Sequence, residues 1–161
     1  MKNLVAIAVV TLVMAMGTSM SAQSPSQQFG IGAIIGGMNA VTAQYALSPA
    51  FHLGAGLGLE LRDGNTNLQF SPYAKFIFAG SKELKPFLLG VFSIGSSSSG
   101  VTGVEGTTST ALNFGGGVEY FVTPNFGIWA GVIVLNLPLS PTGSKVGFGI
   151  LSPSLGAEWF L

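Results

Sequence analysis

The sequence contains no cysteine and few charged side chains, and these two absences exclude several classes of protein. Without cysteine there is no disulfide framework, zinc–thiolate cluster, thiol nucleophile or lipid-modified cysteine. Charged residues make up 7% of the chain, against roughly 25% in soluble domains. So few cations cannot build the basic patch that a nucleic-acid-binding protein needs. The chain does have 24 glycines, 12 phenylalanines and 48% hydrophobic residues, which indicates one ordered domain whose surroundings are not water.

Long apolar runs are also rare, and the clearest one is at the N-terminus. Lys2 precedes the apolar segment Leu4–Met16, and small or polar residues follow it as far as Ala22. This order is typical of a secretory signal peptide, and the apolar segment is shorter than the roughly 18 residues that a transmembrane helix needs. We therefore predict a cleaved signal peptide at residues 1–22 and a single exported domain at residues 23–161.

The exported part of the chain alternates between two kinds of residue with a period of two, which predicts β-strands with two different faces. The apolar face of one strand consists of Phe51, Leu53, Ala55, Leu57 and Leu59. The residues between them are His52, Gly54, Gly56, Gly58 and Glu60. Apolar side chains on one face with small or polar residues on the other are the pattern of a transmembrane barrel, which faces lipid outside and a crowded lumen inside.

Turn signals divide the chain into eight such strands. The predicted strands are residues 28–36, 39–47, 51–61, 67–79, 86–95, 110–121, 126–137 and 146–161. Most are long enough for a tilted strand to cross a bilayer, which takes about 9 to 11 residues. The fold class that we predict is all-β: an eight-stranded antiparallel transmembrane β-barrel with up-and-down meander topology.

The connections and an internal repeat support this count. Tight turns alternate with longer connections, of which Gly95–Ser109 is the longest, as expected for short periplasmic turns and longer outer loops. The segments Tyr45–Leu57 and Tyr120–Val132 align at a spacing of 75 residues, and each contains a proline turn. The aromatic residues near the predicted periplasmic ends indicate an interfacial girdle. They are Tyr45, Phe51, Phe78, Phe87, Tyr120, Phe126 and Trp159.

Several segments resemble a known family. The segments are Phe70–Phe78, Lys85–Val91, Gly115–Asn125 and Leu155–Leu161. Together they are similar to the small outer-membrane β-barrel domain family, the OmpA/OmpX-type barrels. The resemblance implies an outer-membrane location, outer-membrane lipid and the barrel-assembly machinery as partners, and a monomer.

Charged side chains on the inward register are the candidate site. Glu60, Lys75, Glu119 and Glu158 share the lumen-facing register of their strands, and Lys75 is the one cation that we assign to a strand interior. A cation on the lipid face near the midplane costs about 2–4 kcal/mol, so these charges should lie inside, where they must pair or stay hydrated. Two interpretations stay open, a polar plug that fixes the strand register and a gate in a narrow conduit, and the small lumen favours the plug.

The sequence contains little that indicates catalysis. His52 is the single histidine, and no Ser/Asp or Ser/Glu pair lies beside it in the predicted barrel. We expect no enzymatic activity, catalytic residue, cofactor or metal site. The predicted function is an integral outer-membrane protein with a structural or surface role, or with a narrow pore. The alternative is a soluble secreted β-barrel or sandwich that carries a small ligand or acts as an adhesin.

Overall fold

The computed structural model describes residues 28–36, 39–62, 65–80, 84–99, 106–141 and 145–161, so the predicted signal peptide lies outside the described residues. Eight strands account for most of them. They are β1 (Phe29–Gly36), β2 (Ala40–Ser48), β3 (Phe51–Arg62), β4 (Asn65–Ile77), β5 (Leu84–Ser99), β6 (Thr107–Thr123), β7 (Phe126–Ser140) and β8 (Gly147–Phe160). Among the described residues, no helix is long and apolar enough to cross a membrane.

The strands form a closed antiparallel barrel, which confirms the predicted fold class. Each strand pairs with the next in sequence, and β1 pairs with β8 from Gly30 opposite Phe160 to Gly36 opposite Ser154. Closure leaves no sheet edge, so each strand finds hydrogen-bonding partners on both sides. A barrel of eight strands encloses a space that side chains nearly fill.

The period-two alternation places large apolar side chains on the outside. The outward face of β3 and β4 exposes Leu53, Leu57, Leu59, Leu68, Phe70 and Phe76. Buried or half-buried residues alternate with them and face the lumen. A soluble barrel would bury its apolar face instead, so the arrangement does not support the alternative of a soluble carrier.

The described residues of the longest predicted loop, Gly95–Ser109, are nearly all strand, which corrects the expectation for these positions. Strands β5 and β6 continue as a ladder in which Gly95 pairs with Ser109 and Ser97 with Thr107. The hydroxyls of Ser97 and Thr107 lie 2.8 Å apart in a hydrogen bond across this ladder. Serine signals flexible linkers by composition, but here a facing run of threonines supplies the cross-strand partners that favour a strand.

The two repeated segments form two similar hairpins. The backbone amide of Ala50 donates to Ser48 Oγ at 3.3 Å, and that of Asn125 donates to Thr123 Oγ1 at 3.4 Å. Both hairpins also shift register just before the turn. We call the end of the barrel with these turns the turn end, and the opposite end the loop end. Strand β1 begins and strand β8 finishes at the turn end.

Candidate functional site

Glu158 is the centre of a buried polar cluster in the turn-end half of the lumen. Its carboxylate accepts hydrogen bonds from Gln44 Nε2 at 2.6 Å, Lys75 Nζ at 2.7 Å and Trp129 Nε1 at 3.0 Å. The Tyr73 hydroxyl extends the cluster by donating to Gln44 Oε1 at 3.4 Å. Four strands therefore contribute to one site, because β2, β7 and β8 each direct one of these side chains inward and β4 directs two, Tyr73 and Lys75.

Lys75 joins two carboxylates. Its ammonium lies 2.7 Å from Glu158 Oε2 and 3.3 Å from Glu119 Oε2. Lys75 is 2% exposed, Glu158 4% and Glu119 0%. Their charges are therefore removed from water, and each is stabilised mainly by the others. Glu119 Oε1 has no hydrogen-bond partner among the described residues. Three of the four charged residues predicted for the lumen are thus brought together.

Glu60, the fourth predicted member, lies apart from the cluster. It is exposed and lies opposite Asn67, whereas Lys75 lies opposite His52 near the other end of the same pair of strands. Alternation along a strand predicts whether a side chain faces the lumen or the lipid. It does not predict the height of that side chain along the barrel axis. The expectation of a single network with four members is therefore corrected to Lys75, Glu119 and Glu158.

Lys85 is a second lumen cation, and it lies just outside the predicted strand at residues 86–95. It lies in β5 opposite Glu119, it is 4% exposed, and its ammonium lies 4.9 Å from the centre of the Phe121 ring. With Lys85 counted, the two lysines and the carboxylates of Glu119 and Glu158 sum to zero formal charge. Lys85 has the same parity along β5 as Phe87 and Leu89, which also face the lumen.

Aromatic side chains close the lumen below the charges. Phe160 is fully buried and meets the buried His52 ring edge-on, with the ring centroids 5.8 Å apart. Phe87 is also inside, with its ring edge-on to Trp129 at 5.8 Å, so its assignment to the interfacial girdle is wrong. Phe87 lies two residues from Lys85 in β5 and therefore faces the lumen with it.

Two glycines make room for the large inward side chains. A Cβ atom on Gly54 would collide with the Tyr73 ring, and one on Gly156 would collide with the Trp129 indole. The neighbouring strands therefore approach these rings through bare backbone. Gly54 and Gly156 are thus required by the large side chains at the floor of the lumen. We call this floor the plug. It consists of the buried polar cluster around Lys75, Glu119 and Glu158 and of the aromatic residues next to it, which are His52, Phe87, Trp129 and Phe160.

The loop-end half of the lumen is different, because small polar side chains line it. Gln69 Nε2 donates to Ser71 Oγ at 3.1 Å, and the Ser71 hydroxyl lies 3.5 Å from Ser93 Oγ. Asn113 Nδ2 donates to Ser93 Oγ at 3.0 Å, and Asn113 Oδ1 accepts a hydrogen bond from Asn136 Nδ2 at 2.6 Å. A chain of hydrogen bonds therefore runs across β4, β5, β6 and β7.

A cavity of about 270 Å³ lies between this polar chain and the plug. Its floor includes Lys75, Phe87, Trp129 and Glu158. Among the described residues, no group of three or more histidines, aspartates and glutamates is placed to hold a metal ion. The lumen thus contains a buried ionic plug and a partly open cavity above it.

Comparisons with solved structures agree with this architecture. The N-terminal β-barrel domain of Pseudomonas aeruginosa OprF superposes with a TM-score of 0.65 at 15% identity, over 86% of this chain and 98% of that domain. Neisserial surface protein A superposes with a TM-score of 0.52 at 18% identity, over 83% of this chain and 94% of that one. At these identities the likeness establishes the fold. No curated protein sequence matches the chain.

One protein family matches by sequence. Its description is "Putative MetA-pathway of phenol degradation", and its profile matches residues 15–137. This match spans well over half of the chain, and it includes β1 to β6 and most of β7. The protein therefore has the fold of the small outer-membrane β-barrels and belongs to this family.

Proposed function

We propose that this outer-membrane barrel has a structural and surface role and that its lumen does not form a continuous pore. The observation that carries the proposal is the plug at the turn end. Glu119, Glu158, Lys75, His52 and Phe160 are each at most 4% exposed. A path for water or ions would have to separate charges that the ion pairs hold together.

The plug resists opening because it consists of an ionic layer and an aromatic layer. Separating Lys75 from both Glu119 and Glu158 would leave unpaired charges in the lumen, which costs several kcal/mol when water cannot reach them. Phe160 adds a second layer, since its backbone amide donates to Asn125 O at 2.8 Å and thereby ties the last strand to a tight turn. The plug therefore resists opening at its ionic and its aromatic level.

Conductance across a planar lipid bilayer tests this proposal. The mature protein is expected to give no regular conductance steps, and the same result is expected for Glu60→Gln, which leaves the plug intact. The double variant His52→Ala/Phe160→Ala removes the aromatic layer and is expected to raise the leak conductance. Regular, reproducible steps in the unmodified protein would contradict the closed lumen.

A narrow gated pore is the second candidate. It is favoured by the position of the cavity, which leads directly to Lys75 and Glu158. In this case the ion pairs would act as a gate, and Lys75→Met would raise conductance more than the aromatic double variant does. An equal or smaller rise with Lys75→Met would speak against the gate.

We also propose that the barrel is not an enzyme. His52 is fully buried, and neither imidazole nitrogen has a hydrogen-bond partner among the described residues. A general base must lie within hydrogen-bond reach of the proton that it takes. The role supported for His52 is packing against Phe160. Replacement of His52 by Phe is expected to leave folding in lipid intact, as followed by heat-dependent mobility on gels.

The proposed orientation places both termini and the turn end in the periplasm. An even number of strands returns the chain to the side on which it began. Assembly as a monomer by the barrel-assembly machinery belongs to the same proposal. An epitope inserted between residues 100 and 105 is expected to be labelled on intact cells, whereas one between residues 81 and 83 should need permeabilisation. The reverse pattern would invert the orientation.

A further inference from the structure

We propose that the lumen cavity is a binding site for a small uncharged molecule with an apolar, ring-sized body and at least one hydrogen-bonding group. This inference goes beyond a structural role and does not require a pore. It is carried by the walls, the floor and the size of the cavity.

The walls of the cavity are more apolar than a water-filled lumen requires. Ile34, Leu89, Val91 and Ile133 all line it, although they occupy the inward register, where transmembrane barrels usually place polar residues. Leu89 and Ile34 also pack against the Phe87–Trp129 pair at the floor. These apolar side chains lie between the plug and the hydrogen-bonded polar residues of the loop-end half. A ligand pocket has this arrangement, because apolar walls supply affinity and a few polar groups orient the ligand.

The floor of the cavity selects against charge. Lys75 and Glu158 line it, but they are already paired with each other at 2.7 Å. Lys85 and Glu119 bring the formal charge of the plug to zero, so the described residues that line the cavity leave no countercharge for a ligand. A charged ligand would pay a desolvation penalty with no new ion pair to offset it.

The upper wall of the cavity offers hydrogen bonds. Ser93, Asn113 and Asn136 line it, and all three are half-buried, so a molecule entering from the loop end can reach their hydroxyl and amide groups. These groups already bond one another at 2.6 to 3.0 Å. A hydroxyl or amide on the ligand can therefore join an ordered chain whose members are held in place, which lowers the entropic cost of binding.

The size of the cavity limits the ligand. Its volume of about 270 Å³ lies just below the range of roughly 300–1,000 Å³ that is usual for small-molecule pockets. An apolar cavity of roughly 150 Å³ in another protein is known to hold benzene. The edge-to-face arrangement of Phe87 and Trp129 at the floor suits contact with a further flat ring. A ring with one or two small substituents fits these limits.

Trp129 makes the site testable, because the chain contains two tryptophans and the other one, Trp159, lies on the outward face. The experiment uses the mature protein in lipid nanodiscs with Trp159→Phe, so that Trp129 alone reports. The probe is 4-nitrobenzyl alcohol, an uncharged ring with a hydroxyl and a nitro group that quenches indole fluorescence. Saturable quenching is expected, and 4-nitrobenzoate, of similar size but charged, should quench without saturating.

Two matched variants locate the binding. Ala111→Phe fills the cavity from its wall and is expected to weaken the saturable quenching at least about tenfold, which corresponds to roughly 1.4 kcal/mol. Ala130→Phe adds the same ring on the exposed outer face and should leave the quenching unchanged. Quenching that rises linearly in all three proteins would show that the probe only partitions into lipid, and it would overturn the site.

A second measurement applies even if the filled variant does not fold. Side-chain amide resonances of Asn113 and Asn136 should shift on titration with 4-nitrobenzyl alcohol in the unmodified barrel. The resonance of Gln44, which lies in the plug and does not line the cavity, should move much less. Absence of any shift at Asn113 and Asn136 up to saturation of the nanodisc lipid would also overturn the proposal.

Discussion

The turn-end half and the loop-end half of the lumen satisfy their polar side chains in different ways. Both must satisfy polar side chains inside a barrel. The turn-end half pairs full charges that water does not reach, whereas the loop-end half links neutral amides and hydroxyls that, apart from the buried Ser71, are half-buried. Burial raises both the strength of an electrostatic contact and the cost of losing it. The plug should therefore dominate stability, and the upper half should tolerate substitution and contact with ligands.

The largest difference between the halves is expected for Lys75→Met. This change leaves Glu119 and Glu158 buried without their shared cation, at a cost on the order of 3–5 kcal/mol. The midpoint of urea unfolding in lipid or detergent measures the loss. Adding Glu158→Gln to the same chain should restore part of the stability, because it removes one uncompensated charge. An unchanged midpoint for Lys75→Met would show that Lys75 reaches water.

A pair of amides compares the two halves directly. Gln44 and Asn113 each take part in two side-chain hydrogen bonds, but Gln44 is 3% exposed and donates to a carboxylate, whereas Asn113 is half-buried and bonds neutral groups. Gln44→Ala should cost about 1.5–3 kcal/mol and Asn113→Ala about 0.5–1.5 kcal/mol. The free energy of unfolding of both variants is measured by urea unfolding in lipid or detergent. Equal losses would remove the distinction between the halves.

Glycine substitutions sharpen the comparison at the level of packing. In Gly156→Ala the new methyl group collides with the Trp129 indole, and overpacking of this kind costs about 1–3 kcal/mol. The matched variant Gly90→Ala lies in β5, where a Cβ atom would meet the Phe114 ring at an ordinary 3.7 Å. Thermal unfolding, followed by gel mobility, should separate the two. A similar melting temperature for both would mean that the Trp129 ring shifts freely.

The smallest effect is expected for Glu60→Gln. Because Glu60 is exposed at the loop-end side of β3, the substitution should change the free energy of unfolding by less than about 0.5 kcal/mol. A loss of stability as large as that of Lys75→Met would instead show that Glu60 takes part in the polar cluster.

The number of strands and their two faces were predictable because alternation is a local signal. Leu53 and Leu57 face outward as predicted, and Lys75 and Glu158 face inward, since a strand turns each successive side chain to the opposite face. The repeat at a spacing of 75 residues also corresponds to two similar hairpins. Strand length was harder to predict, because the Ser and Thr residues of β5 and β6 become a ladder only when they face each other.

The sequence by itself determined the eight strands, their outward apolar face and the charges that must be inside. The tertiary structure alone decided which inward charges meet, because contact across the lumen depends on the height of each residue after closure of β1 onto β8. It brought Lys75 to Glu119 and Glu158, left Glu60 apart, and placed Lys85 and Phe87 in the lumen. Register between strands far apart in sequence is set by the stagger of the whole barrel, which no local pattern contains.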